Sequence, residues 1–310
     1  MVKKHRKYME DDFDLDLFIK DQSAKAFQLK LNSHSKKLLG IVKILIIIAA
    51  FITAFELYSY ASHLIEVWRD SRINETARDI VEQAAYFDES AVTEELSAPV
   101  AETRGVFSAP SAAAPEVKAA AAPVLSPAIL KLRDEFNNSD IAAYLKIGGT
   151  NIDFPIVQTG DNAYYLTHDL RRQDNAAGSA FIDFENQQYP LDRSTVIYAH
   201  NMRDGSMFHN IRNYNDPGYF SAHKIISLQT LYEDTLWEIF SFYETNTEFL
   251  YNTTAFSNAD EFVAFANILK EKSIYPSDVN FTADSKILTL STCTNRGADL
   301  RYVIHARRVK

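Results

Sequence analysis

The chain has one cysteine among 310 residues, and this scarcity excludes an internal disulfide. Cys293 ends the apolar, β-branched run KILTLSTC. A thiol that is not part of a disulfide framework is either an inert buried side chain or a reactive nucleophile. The sequence around Cys293 favours neither reading by itself, so the choice depends on which residues accompany the cysteine.

Excess positive charge is also missing, because 41 Asp and Glu outnumber 32 Lys and Arg and give a net charge of -9. Residues 1–37 hold nine Lys and Arg against six Asp and Glu, so the remainder of the chain is more acidic still. An acidic surface argues against nucleic acid or anionic lipid as the main partner. The eight histidines are dispersed and no carboxylate cluster has ligand spacing, so we expect neither a metal site nor a cofactor.

Long hydrophobic runs are absent except for residues 38–55, which contain one charged residue, Lys43. The length and composition of this run predict a transmembrane anchor, with a buried core helix as the alternative. Thirty-seven mostly polar residues precede it, which is unlike a cleaved signal peptide. The basic residues 1–37 predict a cytoplasmic tail, which places everything after the anchor outside the cell membrane in a single-pass topology.

Two segments of different character follow the anchor. Residues 56–87 predict an extracellular stalk with an amphipathic helix, whose apolar stripe could pack on the downstream domain, on a second copy or on the membrane. Residues 88–127 contain eleven alanines and five of the nine prolines, so they have few large apolar side chains with which to offset chain entropy. We interpret them as an extended linker.

Residues 128–310 have a globular composition and are mainly β. A short helix, PAILKLRDEF, opens the segment, and about eight runs with β-branched and aromatic bias follow, separated by turn residues. This number of strands in some 180 residues predicts an eight-stranded closed β-barrel with peripheral helices. One of those helices is predicted at residues 257–272, where acidic residues open an apolar stripe of helical spacing.

Two residues could form a catalytic group with Cys293. His200 ends the strand STVIYAH and opens a polar loop, a position in which a side chain is both held and accessible. The turn after Cys293 should return the chain antiparallel, which brings Arg301 close to the thiol. A guanidinium there could stabilise a thiolate or an oxyanion. The other histidines lie in the tail, the stalk or polar loops, except His305, which could be a core or a groove residue.

The combination VIYAHNM, TLSTCT 93 residues later and the arginine of LRYVIHARRV strongly resembles the sortases. The helix before the cysteine strand resembles their class B branch. The resemblance covers about residues 129–310 and implies a membrane-anchored cysteine transpeptidase of a Gram-positive bacterium. Such an enzyme would cut the C-terminal sorting signal of a secreted surface protein after threonine, hold it as a thioester and pass it to an amine, usually on a peptidoglycan precursor.

The resemblance also implies roles for individual residues. Cys293 matches the nucleophile, His200 the acid and base, and Arg301 the oxyanion or carbonyl clamp. Substrate-binding positions of the family are matched by four further residues: Ser291, Thr292, Tyr198 and Asn162. One departure is Ala199, where the family usually has glycine. Two other functions stay open, a surface cysteine peptidase that uses water as acceptor and a non-catalytic membrane-tethered wall-binding domain.

Overall fold

The computed structural model describes residues 15–97, 125–294 and 297–310. Four α-helices form within these ranges: α1 (Leu15–Ser97), α2 (Pro127–Glu135), α3 (Pro217–Ala222) and α4 (Ala259–Glu271). The start of α4 follows from its sequence, because the Asn258 side chain accepts a hydrogen bond from the Glu261 amide and two acidic residues occupy the first turn. Ser126 caps α2 in the same way, ahead of a proline in its first turn.

Eight strands close into a barrel in the order β1-β2-β3-β4-β7-β8-β6-β5, which confirms the predicted architecture. The strands are β1 (Ile141–Ile147), β2 (Asp153–Val157), β3 (Phe181–Ile182), β4 (Ser194–Tyr198), β5 (Ile225–Thr230), β6 (Asp234–Asn246), β7 (Ile287–Thr294) and β8 (Gly297–Arg308). Six of the eight pairings are antiparallel. The two parallel ones join β2 to β3 and β4 to β7.

The parallel pairing of β4 and β7 is the feature of the barrel that matters most for function. A parallel neighbour requires a long crossover connection, and here the chain between the two strands includes β5, β6 and α4. Parallel strands end at the same edge of a sheet. Residues that follow β4 and residues at the end of β7 therefore emerge together, although they are far apart in the sequence.

Period-2 alternation divides the side chains of β7 and β8 between two apolar layers. Leu288, Leu290 and Ile304 belong to the cluster that fills the barrel. Ile287 and Val303 belong to a second cluster, which includes α4 residues of the predicted apolar stripe. The barrel wall is thus buried on both faces along the first half of β7.

His305 lies in this outer layer and is a core residue. Its side chain is fully buried, with Nε2 2.7 Å from the Tyr243 hydroxyl and Nδ1 2.9 Å from Thr289 Oγ1. Burial lowers the pKa of His305 to about 3, so the imidazole is neutral at physiological pH. A histidine held in this way serves packing rather than proton transfer.

The chain divides into two compact units, residues 1–65 and residues 66–310, and α1 contributes to both. Within the first unit, the stretch predicted as the anchor is helical and its apolar side chains are exposed. By length and composition alone, α1 between Lys20 and Ala84 contains a stretch that could cross a membrane. Most of the predicted linker, residues 98–124, lies outside the described residues, as do residues 1–14 of the predicted tail.

Within the second unit, the stalk part of α1 packs on the barrel. Ala77 is fully buried and Ile73 nearly so, in a cluster with Ile129 and Leu132 of α2. Polar contacts flank this apolar seam: Arg78 Nε lies 3.1 Å from Asp153 Oδ2, and Arg69 Nη2 donates to a backbone carbonyl at 2.9 Å. Part of the apolar stripe of the stalk therefore packs on the downstream domain, one of the three options that its sequence left open, whereas Trp68 is exposed.

Candidate active site

The ends of β4 and β7 bring His200 and Cys293 to the same edge of the barrel. Tyr198 and Ser291 are register partners in the parallel pairing, and the Ala199 amide donates to the Ser291 carbonyl at 3.3 Å. His200 follows Tyr198 by two residues, and Cys293 follows Ser291 by two. Their backbones are therefore neighbours at one rim, across 93 residues of sequence.

Arg301 enters from the opposite neighbour of β7. Cys293 and Arg301 are register partners in the antiparallel pairing of β7 and β8, immediately before a bulge between Cys293 and Thr294. The Arg301 side chain is half-buried, and its Nη1 donates to the Leu300 carbonyl at 3.0 Å. The barrel order β4-β7-β8 thus places the cysteine strand between the histidine strand and the arginine strand.

A backbone carbonyl orients His200. Nε2 of the half-buried imidazole lies 2.8 Å from the Leu166 carbonyl oxygen. A carbonyl can only accept a hydrogen bond, so Nε2 carries the proton in the neutral ring. Nδ1 is then the nitrogen that gains and loses a proton.

A groove of about 310 Å³ runs along this rim and collects the sequence-predicted side chains. Six of the seven predicted residues line it, while the side chain of the seventh, Cys293, is outside what the structure describes. The six are Asn162, Tyr198, His200, Ser291, Thr292 and Arg301. A space of this size holds a short extended peptide segment rather than a whole folded partner.

The groove wall also includes residues that the sequence analysis missed. Tyr251 has its hydroxyl 2.9 Å from Ser291 Oγ, and Asn252 Nδ2 donates to the Tyr198 hydroxyl at 2.9 Å. Both residues come from the connection between β6 and α4, as does Thr247. That connection has no periodic pattern, and its only sequence signal is an aromatic and amide-rich composition ahead of a helix cap.

Two hydroxyls in the groove, those of half-buried Tyr198 and buried Thr292, differ in their partners. The Tyr198 hydroxyl donates one hydrogen bond and accepts another. Its pKa is raised, chiefly by burial, so the hydroxyl stays protonated and can act as a donor. Thr292 is 2% exposed, and its Oγ1 has no hydrogen-bond partner among the described residues. A buried hydroxyl without a partner is costly unless a ligand satisfies it.

The described residues contain no group of three or more His, Cys, Asp or Glu that could hold a metal ion. The three residues predicted to be catalytic, which the strand pairing brings to this rim, carry a thiol, an imidazole and a guanidinium. Such a set is suited to nucleophilic attack on a carbonyl, with proton transfer and stabilisation of the developing negative charge.

Known proteins show the same combination of fold and sequence. The family model described as Sortase domain matches residues 145–309. Sortase B of Listeria monocytogenes is 40% identical over 168 residues, which cover 53% of this chain and 68% of that protein. The structure of a Staphylococcus aureus sortase B-substrate complex matches with a TM-score of 0.57 and 33% identity, over 60% of this chain and 86% of that one. A Bacillus anthracis structure described as similar to sortase B matches with a TM-score of 0.56 and 37% identity, over 60% and 84%.

Proposed function

Because this chain belongs to the sortase family and to its class B, a group of cysteine transpeptidases, we propose that it cleaves C-terminal sorting signals after threonine. The acyl group passes through a thioester on Cys293 to an amine, which we propose is carried by a peptidoglycan precursor. The observation that supports this most directly is the register of β4, β7 and β8. It groups the backbones of His200, Cys293 and Arg301 at one rim, beside a groove of peptide size.

In the first half-reaction, the Cys293 thiolate attacks the carbonyl carbon of the scissile amide, and the carbonyl electrons move to oxygen. The Arg301 guanidinium donates hydrogen bonds to this oxyanion. As the tetrahedral intermediate collapses, the C–N bond breaks and the protonated imidazole of His200 gives its proton to the leaving amine. The products are a thioester on Cys293, a neutral imidazole and the released C-terminal fragment.

In the second half-reaction, the incoming amine attacks the thioester carbonyl. Neutral His200 takes the proton that the amine loses, and the C–S bond breaks to release the Cys293 thiolate. The product is a new amide, and the thiolate and imidazolium are restored. No external acid or base is consumed in the cycle.

The contact of His200 with Leu166 supports the assignment of a single nitrogen to both proton transfers. The Leu166 carbonyl engages the Nε2 proton at 2.8 Å in either charge state, so Nδ1 alternates between protonated and neutral forms without rotation of the ring. A ring held in one orientation needs no reorientation between the two steps, which is an advantage of a positioned catalyst.

The groove wall supports a binding role for four residues: Asn162, Tyr198, Ser291 and Thr292. The unsatisfied Thr292 hydroxyl in particular offers a polar contact that a peptide backbone can complete. The Ser291 hydroxyl already shares a hydrogen bond with Tyr251, which holds it in one rotamer. Together, the four groove residues favour an extended peptide as substrate over a small soluble molecule.

The proposed location follows from the anchor. Residues 38–55 cross the cell membrane, the basic tail stays in the cytoplasm and the barrel acts outside. Surface proteins with a sorting signal and wall precursors with a free amine would both be available on that side. The acidic barrel again argues against nucleic acid as a partner.

The test uses the full chain in detergent micelles with a library of internally quenched peptides that carry threonine at the scissile position. We expect cleavage after threonine and, when glycine ethyl ester is added, a product whose mass is that of the new amide. A product that is always the carboxylic acid, at a rate that the amine does not change, would instead indicate a peptidase. Failure to cleave any peptide, together with a thiol that a methanethiosulfonate does not modify, would indicate the non-catalytic binding domain.

A further inference from the structure

A buried carboxylate lies directly behind the groove wall. Asp183 follows β3, is 5% exposed and is not among the residues that line the groove. Its Oδ2 accepts hydrogen bonds from the Tyr198 hydroxyl at 3.0 Å and from Asn162 Nδ2 at 3.1 Å. Its Oδ1 accepts the Glu185 amide at 3.0 Å. Both oxygens are therefore used, and two of the donors are groove residues.

These contacts determine which atoms the groove presents. A carboxylate can only accept hydrogen bonds, so the hydroxyl hydrogen of Tyr198 points to Asp183. The hydroxyl oxygen of Tyr198 in turn accepts a hydrogen bond from Asn252 at 2.9 Å. Asn162 is held in the same way, because its Oδ1 accepts the Phe184 amide at 3.0 Å while its Nδ2 faces Asp183. The amide orientation of Asn162 is thereby determined.

The network also joins three segments that meet at the rim. Asn162 lies in the loop after β2, Tyr198 ends β4, and Asn252 belongs to the connection between β6 and α4. Each reaches the same carboxylate directly or through the Tyr198 hydroxyl. His200 is not part of it, since the Nε2 of that ring is bonded to Leu166. Asp183 is thus poorly placed to act as the third member of a proton relay.

We propose that Asp183 is a positioning residue for the peptide substrate, which acts through Tyr198 and Asn162 to set the shape and hydrogen-bonding pattern of the groove wall. This inference rests on the proposed function, because it assigns a role within the same groove. It predicts that loss of the carboxylate weakens peptide binding and leaves the reactivity of the thiol unchanged. Loss of a carboxylate with a purely structural role would not affect peptide binding selectively and would not spare the reactivity of the thiol.

The isosteric variant Asp183→Asn tests the proposal. Whichever way its amide is oriented, an NH2 group faces an existing donor, either Tyr198 and Asn162 or the Glu185 amide. We expect KM for the best-cleaved quenched peptide to rise about tenfold, with kcat changed less than about threefold, because a hydrogen bond to a charged group is lost from a preformed wall. The rate at which a methanethiosulfonate modifies the enzyme should equal that of the parent.

Asp192→Asn is the matched control. Asp192 also accepts from an asparagine amide, that of Asn186 at 3.0 Å, and from a backbone amide, but it does not line the groove. This variant should keep the KM of the parent. If Asp192→Asn and Asp183→Asn raise KM equally, the effect is one of general folding and the proposal is wrong.

A double-mutant cycle with Tyr198→Phe identifies the route. If Asp183 acts through the Tyr198 hydroxyl, the double variant should raise KM by clearly less than the product of the two single effects. Independent effects would overturn the proposed route, and an unchanged KM in Tyr198→Phe would overturn it even if Asp183→Asn fails to fold. All of these measurements require that the parent enzyme cleaves the peptide. An inactive parent would therefore refute the proposed function, whereas an active parent with one of the contrary results above would refute only the proposal for Asp183.

Discussion

Cys293 lies directly opposite Arg301 in the antiparallel pairing of β7 and β8. The relationship is set by the backbone pairing of the two strands, and the bulge follows immediately after the cysteine. A guanidinium on the adjacent strand is therefore held near the proposed nucleophile by the ladder of the barrel and not by a loop. Residues placed on strands are held more accurately than residues on loops, which suits the role that we propose for Arg301 at a transient oxyanion.

Arg301→Lys tests the need for the planar guanidinium. Lysine keeps the charge but cannot reproduce two parallel N–H donors, so we expect kcat/KM for peptide cleavage to fall by about 100-fold. The fold should be unaffected, which far-UV circular dichroism checks. Turnover within a few-fold of the parent would remove Arg301 from the mechanism and leave it as a structural residue of β8.

Ala77→Asp tests the packing of the stalk part of α1 on the barrel. The side chain of Ala77 is fully buried, and a carboxylate introduced there would lack a partner, so we expect the free energy of unfolding to fall by about 3 kcal/mol. Denaturant unfolding of the full chain in detergent can be followed through the fully buried Trp237, in a Trp68→Phe background.

The control for this variant is Ser71→Asp, which adds the same charge on the exposed face of the same helix. It should change the free energy of unfolding by less than about 0.5 kcal/mol. Equal effects of the two substitutions would mean that the seam between the stalk and α2 does not contribute to the stability of the barrel.

Asp70 makes the same seam sensitive to pH. Burial raises the pKa of its carboxyl to about 6, against the opposing effects of Asn175 and Arg69. The folded state therefore binds more protons than the unfolded state between about pH 4 and pH 6, and the free energy of unfolding falls as the pH rises through this range. Asp70→Asn keeps the oxygen that accepts from Asn175 and removes the charge.

We expect Asp70→Asn to be more stable than the parent by about 1 kcal/mol at pH 7.5, a value that allows for solvent screening of a half-exposed group. The difference should shrink towards zero at pH 4, where the parent carboxyl is itself neutral. Denaturant unfolding at the two pH values measures it. A variant that is less stable than the parent at pH 7.5 would show that the charged carboxylate is favoured in the folded state.

Much of the barrel could be predicted because its strands carry strong local signals. The run IAAYLKI coincides with β1 from Ile141 to Ile147, and the helix predicted at residues 257–272 begins within two residues of the observed start of α4. Alternation along β7 also separates Leu288 and Leu290 from Ile287, as the two apolar layers require. Each of these features depends on residues that are close in sequence.

The rest of the groove could not be predicted because it depends on contacts between distant segments. Tyr251 meets Ser291 across 40 residues and Asn252 meets Tyr198 across 54, from a connection with no periodicity. Asp183 is similar, since a carboxylate is usually exposed and its burial depends on the tertiary fold. The packing partner of the stalk was also undetermined, because an amphipathic stripe does not identify the surface that covers it.

The central claim is that the Cys293 thiolate forms an acyl-enzyme with the sorting peptide. Intact-protein mass spectrometry of the full chain, quenched with acid during turnover of the best-cleaved peptide without an amine, measures this directly. We predict that the mass rises by that of the N-terminal peptide fragment, that the adduct maps to Cys293 and that it disappears when glycine ethyl ester is added. In Cys293→Ala no adduct and no ligation product should form, and ligation at the parental rate by that variant would contradict the account.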